Sequence, residues 1–135
     1  GVEKNQKSAH PVNLVDLFPT VFDLANVNQS AQTDGKSLVP LLDNDTSTNI
    51  DMDYAYHQYK RGPKMGYSIR TDRYRYTEWH DNYRSYNTYN NDDLKGRELY
   101  DYEKDPLETR NLVKDPSYKT VVRELKEKLK GHLTK

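Results

Sequence analysis

MGYSIRTDRYRYTEW, residues 65–79, decides the fold class. Tyr67, Ile69 and Thr71 fall on one face of an extended chain. Tyr74 and Tyr76 share a face, with Trp79 on the other. A period of two, with aromatic and β-branched residues, predicts two strands. Asp72-Arg73 lies between them as a short turn, so the pair forms a hairpin. Upstream, DYAYHQY (53–59) alternates Tyr54, Tyr56 and Gln58 against Ala55, His57 and Tyr59, which predicts a strand. Downstream, RELYDY (97–102) predicts a fourth strand. Residues 80–96 are polar and turn-rich and read as a long surface loop. An antiparallel sheet of three or four strands follows.

The C-terminal segment predicts a helix. Asp115 is its cap, Pro116 takes the first helical position, and Gly131 follows the last turn. Tyr118, Val121, Val122, Leu125 and Leu129 form one apolar stripe. One helix on one antiparallel sheet is an α+β, two-layer unit.

The N-terminal part has a different character. Residues 1–10 are polar and patternless, and read as a disordered lead-in. Leu14, Leu17, Phe18, Val21, Phe22, Leu24 and Ala25 then recur at helical spacing. Asn13 is a candidate cap. Pro19 interrupts that pattern, so the helix either starts later than Asn13 or kinks near Phe18. Residues 28–52 have linker composition, broken by an apolar patch from Leu38 to Leu42. So long a structureless stretch is unusual inside a compact domain. It is expected to be a strap lying on a larger body.

Composition narrows the function classes. The chain has 135 residues, with 21 basic and 21 acidic side chains and no net charge. Balanced charge gives no global attraction to nucleic acid or to an anionic membrane. No apolar stretch approaches the roughly 18 residues of a spanning helix, and no charged-then-apolar leader opens the sequence. Leu, Ile, Val and Phe total 26 residues, which predicts a thin core that the 12 tyrosines help to build. With no Cys there is no disulfide, thiolate-bound metal or thiol nucleophile.

Charge is uneven locally. Between His57 and Arg75 stand Lys60, Arg61, Lys64, Arg70, Arg73 and Arg75, against the single acid Asp72. One reading is recognition of sulfate, phosphate or carboxylate. The other is a solvated basic hairpin face. Lys60, Arg61 and Lys64 flank Gly62-Pro63 in a predicted inter-strand loop, which favours binding for these three. His57 reads as an anion donor, a general base or a structural strand histidine. His10, His80 and His132 lack metal-ligand spacing. Tyr67, Tyr74, Tyr76 and Trp79 read as cross-strand core pairs rather than as sugar-stacking rings. No serine sits in a GxSxG elbow. The residues read as a piece that holds a substrate, or supports a site, without breaking bonds itself.

The order PVNLVDLFPTVFDLANV, DGKSLVPLL, MGYSIRTDRYRYTEW, ELYDYEKDPLETRNL resembles the C-terminal portion of type I sulfatases, from Pro11 to Leu112. YHQYKR before MGYSIRT is similar to the iduronate-2-sulfatase branch. The resemblance implies a large alkaline-phosphatase-like α/β domain followed by a small subdomain of four antiparallel strands on a helix. Residues 11–52 would then be the last helix and strap of the large domain, and 53–135 the C-terminal subdomain. It implies a sulfuric ester hydrolase acting on sulfated glycans such as iduronate-2-sulfate-containing glycosaminoglycans. The family's chemistry uses calcium and a formylglycine made from CxPxR or SxPxR. This chain has neither motif, so no catalytic residue and no metal ligand are expected in it. Gln58, Tyr59 and Arg61 match a QYxR string that lines the substrate pocket, with Lys60 at a position commonly proline. Lys60 or Lys64 would replace a lysine carried by a longer family loop. With His57, these are the candidate substrate-binding residues: His57, Tyr59, Lys60, Arg61 and Lys64. The expected partners are an N-terminal catalytic domain of the same protein and a sulfated glycan, with no nucleic acid and no membrane. A secreted, periplasmic or lysosomal location follows from the family alone. The alternatives are a non-catalytic glycan- or anion-binding module, and part of a related phosphoester hydrolase.

Overall fold

The computed structural model describes residues 7–28, 32–43, 53–81 and 89–134. It divides into two compact units, Gly1–Ala55 and Tyr56–Lys135.

In the first unit, α1 spans Leu17–Leu24 and a short α2 spans Val39–Leu42. Asn13 precedes a single 3-10 turn, Leu14–Asp16, that leads into α1. The helix therefore starts late rather than kinking, and Pro19 sits in its first turn, where a missing N–H is tolerated. Because Pro19 cannot donate, the Val15 carbonyl lacks its usual helical partner. Gly35 lies against that carbonyl, where a Cβ would come within 2.1 Å of the oxygen. The Asp16 carboxylate accepts the Asn13 N–H (2.7 Å) and the Lys36 N–H (3.0 Å). Thr20 Oγ1 accepts the Leu38 N–H at 2.8 Å. So the strap is pinned to the helix at residues 35–38, and its apolar patch is helical. The remaining strap residues 29–31 and 44–52, like residues 1–6 of the lead-in, lie outside the described residues.

The second unit holds β1 (Ala55–Arg61), β2 (Lys64–Arg70), β3 (Tyr74–His80), β4 (Leu94–Asp101) and α3 (Lys119–Leu133). The strand order is β1-β2-β3-β4. β2 pairs antiparallel with β3, and β3 with β4. Ile69, Tyr76 and Leu99 stand opposite one another across three strands, each fully buried. Met65, Leu112, Tyr118, Val122, Leu125 and Leu129 complete the apolar core. The four-stranded antiparallel α+β arrangement expected from the periodicity is present.

Three boundaries differ from the expectation. β1 runs on through Arg61 and β2 begins at Lys64. Lys60, Arg61 and Lys64 are therefore strand residues, and the loop is only Gly62-Pro63. Gly62 has φ +59°, a left-handed conformation that glycine adopts without strain and that suits a two-residue hairpin. β4 begins at Leu94, which shortens the supposed long loop; its residues 82–88 lie outside the described residues. α3 passes through Gly131 to Leu133. His132 stacks on Tyr56 of β1 at 4.0 Å between ring centroids, and this contact holds the last turn beyond the glycine. At the other end the Asp115 carboxylate accepts the Ser117 N–H, as a cap should, but over a 3-10 turn at Pro116–Tyr118.

The string from Glu98 to Leu112 acts as a clasp. The Asp101 carboxylate accepts Arg73 Nε and Nη2 at 3.0 and 2.9 Å and the Tyr118 hydroxyl at 2.9 Å. Asp105 accepts the Arg110 N–H and the Thr109 hydroxyl. Glu108, at φ +55°, is gripped by Arg75 and Tyr102. Asn111 accepts the Leu99 N–H and donates to the Arg97 carbonyl, covering the outer edge of β4.

Replacing Gly35 with Ala drives a methyl group into the Val15 carbonyl. The first unit is expected to lose about 2 kcal/mol, a typical overpacking cost. Amide exchange at Lys36 and Leu38 should accelerate; unchanged protection there would refute the pinning.

Candidate functional site on the open face of the sheet

Side chains alternate along a strand. Tyr56 reaches His132 of α3, so His57, Tyr59 and Arg61 point to the opposite, open face. Ile69 and Met65 are core residues, so Lys64, Gly66, Ser68 and Arg70 share that face, although Ser68 and Thr77 are themselves buried on it. Arg75, Thr77 and Trp79 of β3, and Gly96, Glu98 and Tyr100 of β4, join them through the cross-strand register. His57, Tyr59, Arg61 and Lys64 are exposed together on one face. Lys60, also exposed, alternates to the α3 side and is not brought together with them.

The basic run is not one patch. Arg73 pairs with Asp101 and Glu103, at 2.9 and 2.6 Å. Arg75 forms a two-pronged pair with Glu108. The Arg70 guanidinium lies 3.4 Å from the Tyr102 ring centroid, a cation–π contact. Arg73 and Arg75 are fastened by ion pairs, while Arg70 is held by its ring contact and its buried Nη1 has no hydrogen-bond partner among the described residues. Arg61 and Lys64, at the hairpin end, are the exposed cations of the open face. Partial burial, and then the Arg75 charge, lower the His57 pKa and favour its neutral ring.

The α3 side carries a polar cluster that the sequence reading missed. Glu78 is fully buried. Its carboxylate accepts the Tyr76 hydroxyl at 2.6 Å and the Tyr89 hydroxyl at 2.9 Å, and meets His80 Nε2 at 3.0 Å. The signal was available: Tyr76, Glu78 and His80 lie two apart in one strand and so share a face. Burial alone would raise the Glu78 pKa. Hydrogen bonds from His80, Tyr76 and Tyr89 outweigh it and hold the carboxyl below its ordinary value. Burial, followed by the same carboxylate, pushes the Tyr76 and Tyr89 hydroxyls up. Tyr56 is raised to about 12, by burial and then by Tyr67.

Trp79 also differs from the expectation. Tyr76 is core, but Trp79 lies half-buried on the open face, its Nε1–H donating to Glu98 at 2.8 Å.

No group of three or more His, Cys, Asp or Glu among the described residues could hold a metal ion, and the chain has no Cys. The residues here do not fit a calcium site or a cysteine-derived formylglycine.

The sequence matches the family described as N-sulphoglucosamine sulphohydrolase, C-terminal, over residues 1–135. The chain belongs to that sulfatase family. It is 31% identical to a Δ4,5-hexuronate-2-O-sulfatase of Bacteroides thetaiotaomicron, over 90% of this chain and 23% of the relative. A protein solved in complex with its substrate D-glucosamine-2-N,6-O-disulfate superposes with a TM-score of 0.65 at 31% identity, over 87% of this chain and 23% of that one. The phosphonate monoester hydrolase of Agrobacterium radiobacter superposes with a TM-score of 0.62 at 25% identity, over 87% and 24%. The chain thus spans about a quarter of the length of these relatives. This sulfatase C-terminal domain contains the clasp, the Glu78 cluster and the open face described above. No helix among its described residues is long and apolar enough to cross a membrane.

The Glu78 cluster gives the domain an acid limit. A carboxyl whose folded pKa lies below its unfolded value stabilises the fold fully above the unfolded value, near 4.5. That stabilisation is lost as pH falls through the folded value. Urea unfolding between pH 3 and 7 should show this loss below about pH 4.5. Glu78→Leu should remove part of the pH slope and cost about 3 kcal/mol at pH 7, because three donors lose their acceptor. A slope identical to that of the parent would refute the assignment.

Proposed function

We propose that this domain closes one side of the substrate pocket of a sulfuric ester hydrolase acting on sulfated glycans, with iduronate-2-sulfate-containing glycosaminoglycans as the substrate class. One observation carries the reading: Arg61 and Lys64 flank the Gly62-Pro63 turn, exposed on the same face as His57 and Tyr59. Two cations at a hairpin tip suit an anionic sugar substituent, since sulfate and carboxylate accept charge-assisted bonds from both side chains. The neighbouring enzymes named for hexuronate-2-O-sulfate and for glucosamine disulfate support that substrate class. Lys60 has no part in this face.

The bond-breaking step belongs to a preceding catalytic domain of the same polypeptide, which would carry calcium and the formylglycine. The apolar side of α1 and of the turn before it suits burial against that domain: Leu14 is 83% exposed, Val21 60% and Phe18 50%. The whole enzyme would act in a secreted, periplasmic or lysosomal setting. Similarity to a phosphonate monoester hydrolase favours a second reading, a related phosphoester hydrolase. The nucleophile motif upstream separates the two.

The purified 135-residue chain is expected to hydrolyse no aryl sulfate; measurable turnover would place a nucleophile in it. In the full-length enzyme, Arg61→Ala and Lys64→Ala should each raise KM for a 2-O-sulfated uronate about tenfold, the loss of one charge-assisted contact. Unchanged Michaelis constants for both variants would remove them from the pocket.

A further inference from the structure

Trp79 is built as a platform. A Cβ at Gly66 would stand 2.8, 3.0 and 3.1 Å from Cζ3, Cη2 and Cε3 of its six-membered ring. A Cβ at Gly96 would stand 3.8 Å from Cδ1. Gly66, Trp79 and Gly96 are direct cross-strand partners. The indole therefore lies flat across three strands, over two positions that carry no side chain. Its N–H is held by Glu98 in the plane of the ring, which fixes rotation about its last torsion. One π-face is against the sheet and the other points outward.

The neighbours of that outward face define its chemistry. β1 neighbours β2 and only Gly62-Pro63 joins them, and a two-residue hairpin of that kind would set Arg61 opposite Lys64 and Tyr59 opposite Gly66. Tyr59, 63% exposed, thus stands beside the glycine under the indole. Arg61 and Lys64 stand at the same end of the sheet. We propose that Trp79, flanked by Tyr59, is a stacking platform for the ring of an anionic sugar, with Arg61 and Lys64 meeting its charged substituent. The inference rests on the pocket reading above and adds the residue that would read the sugar ring rather than the sulfate. The axial C–H groups of a pyranose carry slight positive charge and pack well on an electron-rich π-face, much as an aromatic edge does. An anionic sugar would bring the counter-charge that these two cations need on desolvation.

Trp79 is the single tryptophan of the chain, so its emission reports this site alone. Titration of the chain with 2-O-sulfated iduronate is expected to change that emission saturably, and methyl sulfate at equal concentration is not. In the full-length enzyme, Trp79→Phe should raise KM for the sulfated uronate about threefold, because phenylalanine keeps a smaller π-face and loses the N–H that Glu98 holds. The effect should fall on KM rather than on kcat. Sugar binding seen by calorimetry with unaltered Trp79 emission would overturn the platform and leave the basic rim standing. Absence of binding, together with unchanged KM in Arg61→Ala and Lys64→Ala, would overturn both readings. A lowered Tm with unchanged KM in Trp79→Phe would mean that this face packs on the preceding domain, and would also overturn the platform.

Discussion

The Asp101 carboxylate ties the second unit together. It sits at the end of β4 with no exposed surface. It receives the guanidinium of Arg73 from the β2–β3 turn and the hydroxyl of Tyr118 from the entry to α3. The Arg73 bond, then that of Tyr118, keep its pKa below the ordinary carboxylate value despite burial. A buried charge is tolerated only when its hydrogen bonds are filled. Here they are filled from two separate elements, so the turn and the helix entry must assemble against the strand that carries Asp101. The apolar row Ile69–Tyr76–Leu99 then supplies the burial, and Asp101 sets where the helix begins to cross it.

That arrangement divides the sheet into two faces with different chemistry. The α3 face combines aliphatic contacts with the Glu78 cluster, in which tyrosine hydroxyls reach a buried carboxylate. A chain with few aliphatic residues builds its core this way, because a tyrosine contributes both an apolar ring and a donor. The open face has no helix among the described residues of its unit. Arg75 and Arg70 are held by Glu108 and Tyr102, leaving Arg61 and Lys64 at the hairpin end as its exposed cationic corner. Stability and the proposed recognition thus occupy opposite sides of the same strands.

Much of the fold was legible in order. Alternation located all four strands to within three residues, and the apolar stripe located α3. Boundaries were less legible because tertiary contacts move them. Gly131 reads as a stop until His132 stacks on Tyr56. Lys60, Arg61 and Lys64 read as loop because proline and glycine sit between them, yet left-handed Gly62 closes the hairpin in two residues. The site was half legible. Alternation separates Lys60 from Arg61, but composition alone groups every nearby cation. Trp79 read as core because a large aromatic on a strand usually is; the two glycines that let it lie flat come from different strands.

The sequence by itself determined the periodicities, the cap at Asp115, the lack of a cysteine nucleophile and the order of motifs that places the chain among sulfatases. These are local properties, carried by spacing and residue type along one chain. Only the tertiary structure decided which arginines are engaged, that Glu78 is a buried acceptor, and that Gly66 and Gly96 bracket Trp79. The first depends on contacts between the sheet and the segment after β4, the second on the packing of α3, and the third on the β2–β3–β4 register that sets Gly66 and Gly96 on either side of Trp79. No local pattern encodes such a pairing, because it is settled by the packing of whole strands against α3.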